Sequence, residues 1–172
     1  MSVEKRFHFR NRAVMRARPP VFAAFLLATL SLLSASVLAE SAPRAESLIK
    51  WRQSAYQVLA WNSGRIKASL AGEYAPKDVQ SAANALAAVA NSGLATLFAP
   101  GTADGKGWRQ TTAREEVFSD AARFRALTEE FAREANTLAR IAAAGDRNTV
   151  NEQFLKVAQA CKSCHNQFRQ TD

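Results

Sequence analysis

Beyond Ala39, apolar residues recur at spacings of three and four, with much alanine and almost no alternation of β-branched residues. The pattern predicts four helical segments and no strand. Leu48, Ala55, Leu59, Ile66 and Leu70 form one stripe, which Gly72 and Pro76 end. A second helix is expected from about Lys77 to Phe98, with Val79, Ala83, Leu86, Ala90 and Leu97 on one face. Ala99-Pro100-Gly101 stops it, and a glycine-containing loop continues to about Thr111. Thr112-Ala-Arg-Glu115 has the form of a capping box opening a third helix. That helix carries Val117, Ala121, Phe124, Thr128, Phe131, Ala135, Leu138 and Ala142, and Gly145 closes it. Thr149-Val-Asn-Glu152 repeats the box before a last helix that reaches about Gln170. The expected fold is all-α, an antiparallel up-down-up-down four-helix bundle.

The N-terminus breaks this pattern. A basic stretch runs to Arg18, an apolar stretch follows from Val21 to Leu33, and small residues lead to Val37-Leu38-Ala39. These are the three regions of a secretory signal, with cleavage expected after Ala39, or less favourably after Ala42. The alternative is an uncleaved anchor, because the 19 residues from Val21 to Ala39 could just span a bilayer. The domain division is therefore a signal at 1–39 and a bundle at 40–172. On this reading the mature protein is periplasmic and has no stable membrane association.

Charge looks different after that division. The 172-residue chain has a formal net charge of +8, which suggests a nucleic-acid partner. The first 39 residues contribute Lys5, Arg6, Arg10, Arg12, Arg16 and Arg18 against Glu4, a net of +5. The remaining 133 hold 17 Lys+Arg and 14 Asp+Glu, a net of only +3. Nucleic-acid binding loses its support. At 48% hydrophobic residues, the chain is not a disordered one.

The candidate chemistry is Cys161-Lys-Ser-Cys164-His165, the C-x-x-C-H pattern of c-type haem attachment. Two thiols three residues apart can form thioethers with the two vinyl groups of one haem, and the adjacent imidazole can bind the iron. Val150, Phe154, Val157, Cys161, Cys164 and Phe168 are spaced four, three, four, three and four, so the motif continues the core stripe of the last helix. A haem there would fill part of the bundle interior. Three other readings compete. A disulfide across three helical residues constrains little. A thioredoxin-like pair belongs in a βαβ unit. Zinc wants four ligands, and the mature chain offers only these three.

Both methionines (Met1, Met15) and the other histidine (His8) fall in the signal. The mature chain then has one histidine and no methionine, leaving His165 as the sole ordinary axial ligand and predicting five-coordinate iron. Lysine, the N-terminal amine or tyrosine remain uncommon sixth ligands. On the first helix, Arg52 interrupts an apolar face between Leu48 and Tyr56. A haem propionate would partner it, with Gln53 as a further donor; otherwise Arg52 snorkels at the rim. Tyr56 either screens the iron or is a plain core aromatic. Trp51 and Trp61 are expected in a helix–helix or subunit contact.

Trp51-Arg-Gln-Ser-Ala-Tyr56, Trp61-Asn-Ser-Gly-Arg-Ile66, Phe98-Ala-Pro-Gly-Thr102 and Ala160-Cys-Lys-Ser-Cys-His165 together resemble the cytochrome c-prime family. That family is itself a standard example of the up-down-up-down bundle. The resemblance covers essentially all of the mature chain. It implies thioethers at Cys161 and Cys164, His165 as proximal ligand, Arg52 and Gln53 at the propionates, and Tyr56 at the distal position. It also implies Thr112 or Glu116 near a propionate. The family's members are often homodimers packed through their first two helices. They hold high-spin haem, bind nitric oxide or carbon monoxide, and serve electron transfer or nitric oxide handling. The missing methionine argues against the low-spin branch. The functional expectation is a haem protein cycling Fe(III)/Fe(II) and binding diatomic gases, with its redox partner unidentified. The alternatives are a low-spin carrier with an unusual ligand, or an enzyme acting on nitric oxide or peroxide. For an enzyme, no mature histidine remains as a distal acid–base group.

Overall fold

The computed structural model describes residues 44–170. The signal expected at 1–39 and its cleavage position lie outside the described residues. Among those residues no helix is long and apolar enough to cross a membrane.

Four long helices carry the fold. Helix α1 spans Ala45–Ala71, α2 Pro76–Ala90, α4 Ala121–Ala144 and α5 Arg147–Phe168, with a single helical turn α3 at Glu116–Ser119. Helix α1 ends at Gly72, whose N–H donates to the carbonyl of Ala68. Pro76 begins α2, where a missing N–H leaves no intrahelical bond unmade. Helix α1 packs on α2, α2 on α4 and α4 on α5. Ala82 and Ala83 of α2 are fully buried, and their small size lets α1 and α4 approach α2 from both sides. Around them Leu59, Ile66, Val79, Leu86, Leu138, Val150 and Val157 form the main core. Each aliphatic side chain buried there contributes roughly 1.5–3 kcal/mol.

The all-helical bundle is as expected, but three boundaries are not. Helix α2 stops at Ala90 rather than Phe98. Gly93 takes a left-handed φ of 79°, and a 3₁₀ turn at Leu94–Leu97 redirects the chain. The Thr112–Glu115 box opens no helix. Its main chain pairs with the end of α5 instead, Arg114 N donating to Phe168 O (3.0 Å) and Gln170 N to Thr112 O (2.8 Å). Helix α4 starts at Ala121, capped by the Asp120 side chain, which accepts from Arg123 N. Ala121 is accordingly exposed rather than in the core. Helix α5 starts at Arg147, because Asp146 accepts from Thr149 N at 2.8 Å. Thr149 therefore lies inside the first turn and donates its own hydroxyl to Asp146.

A second, smaller core lies at the other end of the bundle. It contains Ala113, Val117, Phe124, Leu127 and Phe168, with Phe98 and Cys164 packed against it. Between the two cores, α1 and α5 face each other across a cavity.

Candidate functional site

The cavity encloses about 740 Å³, within the roughly 300–1,000 Å³ usual for cofactor sites. Its α5 wall follows from the four-three spacing. Val157 and Ala160 are buried, and the half-buried Cys161 and Cys164 both line the cavity. Cys161 packs against the main core and Cys164 against the smaller one, so the cysteine pair spans the gap between them. Both are free thiols. Burial pushes the Cys161 thiol up and that of Cys164 up to about 11, so both are neutral at physiological pH. His165 lines the same cavity from an exposed position at its rim. Desolvation, and then the charge of Arg169, lower its pKa and favour the neutral, ligand-competent imidazole.

The α1 wall carries Arg52, Gln53 and Tyr56, which one helical turn brings to the same cavity. Arg52 is only 3% exposed, so it does not snorkel at a rim. Its Nη1 donates to Thr102 Oγ1 (2.8 Å) and Leu97 O (3.4 Å), and its Nη2 to Thr111 Oγ1 (2.7 Å) and to Thr102 O. The guanidinium also stacks on Phe98, 4.7 Å from the ring centroid. Gln53 accepts from Trp108 N (2.8 Å) and Arg109 N (3.3 Å), and donates to Arg109 O (2.9 Å). Both side chains thus hold the 99–111 loop against α1. Tyr56 meets Phe98 edge-on at 6.3 Å, and Phe98, Phe124 and Phe168 continue as edge-to-face pairs. Burial, then the nearby Cys164, holds the Tyr56 hydroxyl well above its usual range, so it stays a neutral phenol.

Several residues of this site were not legible in the sequence. Thr102 and Thr111 satisfy Arg52 from a loop whose path no periodicity predicts. Gly107 passes so close to α1 that a Cβ would lie 2.7 Å from Gln53 Oε1 and 2.8 Å from Lys50 N. Glycines in that loop were the available signal for a close approach. Of the two residues expected near a propionate, Thr112 lines the cavity, whereas Glu116 is exposed on α3 and does not. Trp51 and Trp61 touch no core; they are 52% and 65% exposed, which removes the intrachain helix–helix alternative.

The donor set and the space suit a covalently attached haem. Two thiols and one imidazole lie on one wall of an apolar cavity large enough for a cofactor. Among the described residues no cluster of three or more His, Cys, Asp or Glu side chains could hold a bare metal ion. Comparison with known proteins agrees. The profile of the family described as Cytochrome C' matches residues 47–169. A cytochrome c' of Rhodocyclus tenuis is 49% identical over 130 residues, covering 75% of this chain and 98% of that one. A solved cytochrome c' with an unusual ligand-controlled dimer dissociation is 40% identical and superposes with a TM-score of 0.73, over 76% of this chain and all of the other. A nitric oxide complex of a cytochrome c' variant from Alcaligenes xylosoxidans gives 28% identity and a TM-score of 0.68, over 77% of this chain and all of the other. Sequence motifs, bundle and cavity converge with these relatives, and the chain belongs to the cytochrome c' family, whose members carry c-type haem.

Proposed function

We propose that this chain is a periplasmic cytochrome with one high-spin, five-coordinate haem c that transfers electrons and binds nitric oxide and carbon monoxide. Cys161 and Cys164 would hold the haem through thioethers and His165 would bind its iron. When bound, the haem supplies an Fe(III)/Fe(II) couple and an open axial position for a diatomic gas. The observation that carries the reading is the makeup of the cavity wall. Among the described residues it contains one imidazole, no methionine and no lysine. Tyr56 is held as a phenol rather than the phenolate that metals prefer. No group of this wall therefore competes strongly for the sixth position, and the low-spin alternative finds no ligand there.

The residues of α1 have separate tasks in this reading. Tyr56 covers the distal side and limits gas access. Arg52 and Gln53 stand at the edge where the haem propionates are expected, Arg52 adding positive charge and both fixing the loop that closes that edge. An enzyme handling peroxide benefits from a distal acid–base group. Among the described residues Glu129 is the single carboxylate of the cavity lining, and it is exposed. The relative from Alcaligenes xylosoxidans forms a nitric oxide complex, and the relative with ligand-controlled dissociation forms a dimer. We extend both properties to this chain as a gas-binding homodimer. Secretion through the 1–39 signal places it in the compartment where the haem is attached.

Optical spectra of the ferric and ferrous holoprotein, repeated under carbon monoxide, test the reading. Broad high-spin bands that sharpen with the gas are expected. Sharp low-spin bands indifferent to carbon monoxide would show a sixth ligand and reduce the function to electron carriage.

A further inference from the structure

The edge of the cavity between α1 and the 99–111 loop is electropositive and has an unequal division of labour. Arg52 is the buried cation there, but its two terminal nitrogens are already committed to four acceptors of the chain itself. Arg109 lines the same cavity and is exposed. Among the described residues no carboxylate lies within ion-pair distance of it.

Its position is built rather than incidental. Gln53 grips the main chain of Arg109 at both N and O, and Gly107 N donates to the same carbonyl at 3.0 Å. The Lys106–Gln110 bridge closes the turn around it. Gly107 allows this turn to lie directly on α1, since any Cβ would collide with Gln53 and Lys50. Four constraints thus fix the backbone of one residue at the mouth of the cavity, while its cationic side chain has no partner among the described residues. A planar guanidinium with free donors is suited to bidentate binding of a carboxylate.

We infer that Arg109 is the direct carboxylate anchor of this site, forming the ion pair with a haem propionate that Arg52, engaged with the loop, can support by its charge alone. Arg109 is thereby a positioning residue that neither the motif nor the helical register marks. The inference rests on the haem reading, because haem supplies the carboxylates.

The test compares holoprotein variants Arg109→Gln, Arg109→Lys and Lys106→Gln by potentiometric titration across pH, with haem content checked by mass and absorbance. Lys106→Gln removes the same charge from the same turn and controls for long-range electrostatics. Removing a cation from a propionate favours the ferric state and weakens the carboxylate's ionisation. Arg109→Gln should therefore lower the midpoint potential and raise the apparent pKa in the potential–pH profile, both more than Lys106→Gln does. Arg109→Lys should restore most of the difference. Because Gln53 holds main-chain atoms, the loop stays anchored in all three. Equal shifts in Arg109→Gln and Lys106→Gln, or an unmoved profile, would overturn the ion pair. A wild-type protein without covalent haem would overturn the underlying reading and the inference with it.

Discussion

Arg52 shows how one residue can be chemically predictable and structurally surprising. A charge on an apolar helix face must find partners, because a buried unpaired ion is costly. The partners here are Thr102, Thr111 and the Leu97 carbonyl, contributed by a segment 45 to 59 residues away. Arg52→Ala would leave the buried Thr102 carbonyl without its partner, at roughly 1–3 kcal/mol, while the Thr102 and Thr111 hydroxyls keep their bonds to Ala99 O and from Ala113 N. Urea unfolding of the holoprotein should show the loss, and proteolysis should cut first within the 99–111 loop. An unaltered midpoint and an intact loop would contradict the clamp. Tyr56 is argued at the same scale. If it screens the distal position, Tyr56→Ala should speed carbon monoxide binding, measured by flash photolysis or stopped flow. An unchanged on-rate would leave it as a packing aromatic.

At the scale of elements, type was legible and boundaries were not. Helices are repetitive, so a three-and-four spacing announces them over many residues at once. Their ends depend on single side chains. Thr112 and Thr149 both had the right partner three residues on, yet neither is an N-cap. Asp120 and Asp146 cap instead, because the chain at 112–114 is drawn into pairing with 168–170 and because Asp146 reaches Thr149 N first. The Asp146 carboxyl sits below its usual range, owing first to its hydrogen bond from the Thr149 side chain and then to that from Thr149 N. A carboxylate with a depressed folded pKa stabilises the fold above its unfolded pKa and loses that contribution as pH falls through the folded value. Asp146→Ala should therefore lower the thermal midpoint near neutral pH, while the gap to wild type narrows as pH falls through the folded pKa of the carboxyl. A gap independent of pH would mean that the charge of the cap contributes nothing.

For the molecule as a whole, the bundle is three closely packed helix pairs with one open seam. Helix α1 packs on α2, α2 on α4 and α4 on α5, while α1 and α5 stand apart across the cavity that their own functional residues line. On the outside of α1, Trp51, Val58 and Trp61 are exposed, and Trp108 joins them through its Nε1 bond to Ser54 Oγ (2.9 Å). Such a stripe is the expected contact of a homodimer. Trp61→Glu should shift the holoprotein toward monomer in sedimentation velocity without altering its spectrum; a persistent dimer would place the interface elsewhere. The amino-acid order by itself determined the helical class, the inward register of Cys161 and Cys164, and the scarcity of iron ligands. Those are local or compositional properties, set by spacing within one helix or by which residues exist at all. Only the tertiary structure decided which loop Arg52 and Gln53 hold, where the helices begin, and that Arg109 stands at the cavity mouth with no ion-pair partner among the described residues. Those depend on residues far apart in sequence competing for the same hydrogen bonds, and that competition is settled only when the chain is packed.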